Sequence, residues 1–194
     1  MDSFETLMAM LLEREGYWVQ NAFKVNLTKE EKRKIGRSSS PRWELDLVAY
    51  KGATNEVRIV ECKSYLDSPG VRLSNFVSDG SRPQNFSRYK LFHEHVLFET
   101  VVKRLVSQLE AAGSCAPSPT VVLCLAAGKI KNEKDRLALR DLFSEKGWLL
   151  FDEPWIVQRV RDIAAGGYEN NVAAVVAKLL ERSPKPASKR AIGA

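Results

Sequence analysis

The chain has 194 residues, of which 44% are hydrophobic, and it carries a formal net charge of +6 with a pI near 9.3. This length is sufficient for one domain with a buried core. No apolar run approaches the length that a membrane span requires, so we expect no membrane partner. The basic charge is compatible with a polyanionic partner such as DNA.

The cysteines are Cys62, Cys115 and Cys124, and their spacing matches no metal site. An odd number of thiols without such spacing predicts buried free cysteines in a reducing compartment, and therefore a cytoplasmic protein. We expect a single domain over residues 1–182. Residues 183–194 are rich in Pro, Ser and Lys, which predicts a disordered basic tail.

The first predicted element is a helix over residues 2–15, because apolar residues recur at helical spacing and Gly16 ends the pattern. Asp2 and Glu5 fit a capping box at its start. A strand over residues 17–25 follows. Residues 26–42 are polar, basic and without a period, which predicts a flexible loop.

The rest of the chain alternates strands and helices. The predicted elements are strands at 43–50 and 57–64, an irregular segment at 66–87, a helix at 89–112, a buried strand at 120–127, a helix at 132–146, a short strand at 148–151, and helices at 154–165 and 169–180. This order predicts an α/β fold with a mixed central sheet and extra C-terminal helices.

The two strands at 43–50 and 57–64 contain acidic residues within apolar runs. If Tyr50 pairs with Val57 around the turn, Asp46 lies opposite Glu61. Two opposed carboxylates repel each other, and a divalent cation with a preference for oxygen ligands would offset the repulsion. The alternative is a surface hairpin in which Glu44 pairs with Lys63 and both acidic residues are solvated.

Asp46, followed fifteen residues later by Glu61-Cys62-Lys63 on an adjacent strand, resembles the motif of the PD-(D/E)XK nuclease superfamily. The resemblance implies a restriction-endonuclease-like αβββαβ core. It also implies that Asp46, Glu61 and the Cys62 backbone carbonyl hold Mg²⁺, with Mn²⁺ able to substitute, and that Lys63 positions the attacking water. One departure is that Arg42-Trp43-Glu44-Leu45 stands in place of the proline that precedes the Asp in that superfamily.

The N-terminal helix adds a second resemblance. A helix with Phe4-Glu5 near its start, ending at Gly16-Tyr17 before a strand, is similar to Mrr-type restriction endonucleases and archaeal Holliday-junction resolvases. That similarity implies that Glu5 joins the metal site as a catalytic carboxylate. The other interpretation, which the residues leave open, is that Glu5 only caps the helix.

Basic residues near the proposed site are candidates for phosphate contacts. In the segment 26–42 they are Lys32, Arg33, Lys34, Arg37 and Arg42. The irregular segment 66–87 is long for a loop, and long loops in compact domains are often functional. Arg72, Arg82 and the following Arg88 could contribute substrate contacts.

Together these features predict a Mg²⁺-dependent deoxyribonuclease that hydrolyses phosphodiester bonds. The alternative is a non-catalytic nucleic-acid-binding or assembly module on the same fold, although such modules usually lack one of the three motif residues. A homodimer, or a protein partner in a larger system, is compatible with the sequence. The sequence leaves open whether cleavage would be endonucleolytic or exonucleolytic.

Overall fold

The computed structural model describes residues 2–39, 42–78, 80–167 and 171–182. The predicted tail at 183–194 lies outside these residues. Contacts divide the chain into two compact units, Met1–Glu153 and Pro154–Ala194. The first unit holds all five strands and the candidate site.

The chain folds as an α/β protein. Its helices are α1 (Ser3–Arg14), α2 (Lys29–Lys34), α3 (Lys90–His93), α4 (His95–Ala111), α5 (Glu133–Lys146), α6 (Glu153–Ala165) and α7 (Val172–Arg182). Its strands are β1 (Trp18–Val25), β2 (Trp43–Lys51), β3 (Glu56–Lys63), β4 (Thr120–Ala127) and β5 (Leu149–Phe151). Short 3₁₀ turns occupy Leu73–Asn75 and Phe86–Arg88.

The five strands form one mixed, open sheet in the order β1-β2-β3-β4-β5. The pairs β1–β2 and β2–β3 are antiparallel, whereas β3–β4 and β4–β5 are parallel. The predicted α/β class and mixed sheet are therefore confirmed.

Both faces of the sheet are covered. The consecutive residues Leu47, Val48 and Ala49 all have 0% exposure, and neighbouring side chains point to opposite faces of a strand. The buried apolar side chains of α4 and α5 belong to one large core cluster, which does not contain those of α1. We conclude that α1 covers one face of the sheet and that α4 and α5 cover the other.

Helix caps confirm several predicted boundaries. Asp2 and Glu5 form a capping box at the start of α1. Asn132 caps α5, and Gly147 ends that helix in the left-handed region at φ 67°. Glycine suits this position because it has no Cβ to clash there.

Two predicted elements differ from the structure. The helix expected at 89–112 is broken at Glu94 into α3 and α4. The break separates His93, whose Nε2 lies 2.7 Å from the Asn75 carbonyl oxygen, from the exposed His95. The flexible loop expected at 26–42 instead contains α2.

The three cysteines are free thiols. Cys62 and Cys124 are buried as expected, but Cys115 is only half-buried because it lies in the loop that precedes β4. No helix in the described ranges is long and apolar enough to span a membrane.

Candidate functional site

The candidate site lies at the edge of the sheet that is formed by the carboxyl ends of its parallel strands. Lys63, the last residue of β3, pairs with Ala127, the last residue of β4. At the same edge β1 ends at Val25, which pairs with Trp43 at the start of β2. Ligands of open α/β sheets bind beyond the carboxyl ends of the strands, and β1, β3, β4 and β5 all end here.

Asp46 reaches from β2 to the backbone of β3. The predicted register is confirmed, because Tyr50 pairs with Val57 and the ladder continues to Leu47 and Val60. Asp46 is the next residue beyond that ladder. Its Oδ2 accepts a hydrogen bond of 2.8 Å from the Cys62 amide. The aspartate is therefore anchored beside Glu61 by the backbone itself.

Glu61 and Lys63 form an ion pair in which Lys63 Nζ lies 2.5 Å from Glu61 Oε1. They are two residues apart on one strand, so they share a face. Their side chains are only 20% and 16% exposed, respectively. Lys63 Nζ also donates to the Cys62 carbonyl oxygen at 3.2 Å. The alternative hairpin, in which Lys63 pairs with Glu44 and Glu61 is solvated, is therefore wrong.

Neighbouring charges shift the protonation of this pair. Burial raises the pKa of Glu61, and the carboxylates of Asp46 and Glu5 raise it further against the opposing effect of Lys63. Burial alone would lower the pKa of Lys63, but Glu61 and Asp46 outweigh it and raise that pKa. Lys63 therefore remains an ammonium group at neutral pH.

Glu5 caps α1, and it also lies near the acidic residues of the site. Its carboxylate accepts a hydrogen bond of 3.2 Å from the Asp2 amide, which is the capping-box contact. Partial burial, and then the negative charge of Asp46, raise the pKa of Glu5. The structure therefore brings Glu5 within electrostatic reach of Asp46 and Glu61 while it caps α1.

The oxygen atoms at this edge match the donor chemistry of a hard divalent cation. The candidates are the carboxylates of Asp46, Glu61 and Glu5 and the carbonyl of Cys62. No group of three or more His, Cys, Asp and Glu side chains within the described residues is arranged to hold a metal ion. Magnesium typically binds one or two protein carboxylates and keeps several waters, so the donor set fits this ion without such a cage.

Gly128 is a site residue that the sequence analysis did not identify. Its amide donates to the Lys63 carbonyl at 2.9 Å. A Cβ at this position would overlap the Ser64 carbonyl oxygen and lie 3.1 Å from Phe4. The absence of a side chain thus lets the end of β3 and the start of α1 approach each other.

The basic segment after β1 is an ordered helix rather than a flexible loop. Thr28 and Glu31 form a capping box at the start of α2. Glu31 also binds Arg104 of α4 at 2.7 Å. Arg37 binds Glu94 through both carboxylate oxygens, at 2.9 and 3.0 Å, and its guanidinium lies 4.9 Å from the centre of the Trp43 ring. These contacts fix α2 close to the edge that carries the site.

The predicted phosphate-binding residues have different surroundings in the structure. Arg33, Lys34 and Arg42 are exposed, and Lys32 is half-buried. Arg37 is engaged by Glu94, as described above. The exposed cations on and after α2 are therefore the ones best placed to meet a polyanion.

Comparisons of this chain with protein-family models, with curated proteins and with solved structures each returned no match.

Proposed function

We propose that the chain is a metal-dependent nuclease that hydrolyses phosphodiester bonds in DNA. The observation that carries the proposal is the largely buried Glu61–Lys63 ion pair beside the anchored carboxylate of Asp46. Buried charges are costly to keep, and sites of perturbed pKa are often functional. The arrangement also fits the resemblance to the PD-(D/E)XK superfamily.

A restriction-endonuclease-like αβββαβ core is part of this proposal. It would comprise α1, the antiparallel strands β1 to β3, α4 and the parallel strand β4. The site would then lie where the second and third strands of that core approach each other. The remaining helices would be additions to it.

Asp46, Glu61 and the Cys62 carbonyl would hold Mg²⁺ or Mn²⁺, with Glu5 adding negative charge. A bound cation of this kind polarises a phosphate oxygen and lowers the pKa of a bound water. The protein itself contributes the placement of the ligands. The Cys62 amide holds one oxygen of Asp46, so this carboxylate is oriented before any substrate arrives.

Lys63 would act as a charge and as a hydrogen-bond donor. Its carboxylate neighbours raise its pKa, so it is protonated at neutral pH and is a poor general base. An ammonium group beside the reacting phosphate orients the attacking water or neutralises the charge that develops in the transition state. Exposed residues such as Arg33 and Lys34 would contact the DNA backbone.

A cleavage assay tests this function. The full chain is incubated with Mg²⁺ or Mn²⁺ on linear, circular, single-stranded and branched DNA, with Lys63→Ala and a chelator as controls. We expect divalent-dependent cleavage of at least one substrate by the wild type only. Cleavage that Lys63→Ala retains would contradict the assignment of the site.

A non-catalytic DNA-binding module is the second candidate. It is favoured by the fact that Lys63 donates to both Glu61 and the Cys62 carbonyl, two of the proposed metal ligands. Such a module would bind the same DNA panel with and without divalent cations and cleave none of it.

A further inference from the structure

A cleft of about 320 Å³ opens in the segment that follows β3. The residues that line it include Tyr65, Arg72, Gln84, Asn85 and Arg88. Concave sites of roughly 300 Å³ are at the lower end of the size range of small-molecule pockets. The space is therefore suited to a group the size of one nucleotide rather than to a larger ligand.

The cleft adjoins the candidate site. Tyr65 follows Lys63 by two residues, and it is one of the groups that raise the pKa of Lys63. The segment is also fixed to the edge of the sheet. Val71 pairs with Ile130, and a Cβ on Gly70 would lie 2.9 Å from the Lys129 carbonyl oxygen.

The walls of the cleft are held in place by a buried amide. Asn75 is 2% exposed, its Oδ1 accepts from the Arg72 amide at 2.8 Å, and its Nδ2 donates to the Gln84 carbonyl at 3.1 Å. Tyr65 and Asn85 both adopt positive φ values, 46° and 54°. Residues other than glycine rarely adopt this conformation, and such strain is concentrated at functional sites.

The lining combines two cations with an aromatic ring. The Arg88 guanidinium donates to the Tyr65 hydroxyl at 3.2 Å and lies 6.0 Å from the centre of its ring. By comparison, the Arg82 guanidinium lies 4.0 Å from the centre of the Phe86 ring. Arg88 and Tyr65 therefore border the cavity together without stacking closely on each other.

Tyr89 supplies a further polar group next to this ring. It is 1% exposed. Burial raises the pKa of Tyr89, and the neighbouring Tyr65 hydroxyl raises it further. Tyr89 is not among the residues that line the cleft, so it is a buried neighbour of Tyr65 rather than a ligand contact.

We propose that this cleft binds one unpaired nucleotide of the DNA strand next to the bond that is cleaved. The inference rests on the proposed nuclease function and adds a substrate class, DNA with a single-stranded segment at the site. Arg72 and Arg88 contact the phosphate, and the base stacks on Tyr65. A base in a continuous duplex could enter such a cavity only by leaving its stack.

Binding measured in a chelator tests the inference independently of cleavage. The probes are a labelled DNA hairpin with a blunt end and the same hairpin with a short single-stranded extension, followed by fluorescence anisotropy. We expect the wild type to bind the extended hairpin about tenfold more tightly, as for one base stacked on an aromatic side chain. Tyr65→Phe keeps the ring and should keep this preference. Tyr65→Leu keeps apolar contact with the core but should lose the preference for the extended hairpin.

Arg88→Ala should weaken binding of the extended probe, whereas Lys146→Ala, an exposed cation at the end of α5 and outside the cleft, is the control. Thermal melting confirms that each variant is folded. Equal affinity of the wild type for both probes, or a preference that a folded Tyr65→Leu retains, overturns the inference. If the preference is present but the wild type cleaves neither these probes nor any DNA of the panel above in Mg²⁺, the proposed nuclease function fails instead.

Discussion

The carboxylate of Asp46 accepts a hydrogen bond of 2.8 Å from the backbone amide of Cys62 on the neighbouring strand. This bond continues the contact between β2 and β3 one step beyond their regular ladder, which ends at Leu47 and Val60. It holds a negative charge beside Glu61, and this charge contributes to the raised pKa of Glu61. The carboxylates of Asp46 and Glu61 therefore repel each other unless a positive charge lies beside them, and the ammonium group of Lys63 supplies that charge.

The stabilising interaction between Glu61 and Lys63 can be measured in a double-mutant cycle. Lys63→Met should destabilise the protein, because it leaves a largely buried carboxylate without its partner. Glu61→Gln in the same chain removes that carboxylate and should recover part of the loss. We expect a coupling energy of about 1–3 kcal/mol from urea denaturation without divalent cations. Purely additive effects would show that the two side chains are independently solvated.

The same variant separates the role of Lys63 from those of the metal ligands. Lys63→Met retains Asp46, Glu61 and the Cys62 carbonyl, so Mg²⁺ should still raise its melting temperature. Glu61→Gln should reduce that increase, since the stabilisation by a ligand follows its affinity.

Glu5→Gln should stabilise the metal-free protein at neutral pH. Burial and Asp46 raise the pKa of Glu5 above its ordinary value of 4.5, so the native state binds this proton more tightly than the unfolded state. The wild type therefore loses more stability than the variant as pH rises through this range. The advantage of the variant should be absent below pH 4.5 and present at neutral pH, as measured by denaturation at several pH values.

A role of Glu5 beyond capping would also appear when metal is added. Gln retains an oxygen that can accept from the Asp2 amide, so the cap survives the substitution. The melting-temperature increase caused by Mg²⁺ should be smaller in Glu5→Gln than in the wild type. Glu13→Gln, an exposed position of the same helix, is the matched control. Equal increases in all three proteins would leave Glu5 as a cap only.

Gly128→Ala should impair cleavage, although Gly128 lies far from the motif in the sequence. The new Cβ would overlap the Ser64 carbonyl oxygen, a backbone atom that moves only with the end of β3. Lys63 precedes Ser64, so its ammonium group would be displaced. Gly52→Ala is the control, because its Cβ would meet only the Tyr50 ring at 3.9 Å. Wild-type cleavage rates in Gly128→Ala would contradict this role.

The basic helix α2 is expected to contact phosphates. Arg33→Ala and Lys34→Ala should each reduce the slope of log K against log salt by about 0.9 on duplex DNA, the value for one lost phosphate contact. Lys146→Ala, at the end of α5, is the control. Helix α5 runs from the edge where β4 ends to the start of the parallel strand β5, so Lys146 lies towards the edge opposite the site. An unchanged slope in the α2 variants would show that this helix is only solvated.

The hairpin register could be predicted because alternation and a short turn leave few ways to pair Tyr50 with Val57. The capped helices α1 and α5 were predictable for a similar reason, since their end signals are local. The helix α2 has no apolar period, and Thr28 with Glu31 was its only local signal. The role of Gly128 depends on a close approach between distant segments, which no local pattern encodes.

The most direct test of the site is the rate of Mg²⁺-dependent DNA cleavage in Asp46→Asn beside Glu44→Gln. Asn retains an oxygen that can accept from the Cys62 amide, so the strand contact and the fold should persist while the charge is lost. Glu44 is an exposed carboxylate on the same strand, and its replacement removes an equal charge. We predict that Asp46→Asn melts close to the wild-type temperature without detectable cleavage, while Glu44→Gln cleaves normally. Normal cleavage by a folded Asp46→Asn would contradict the account.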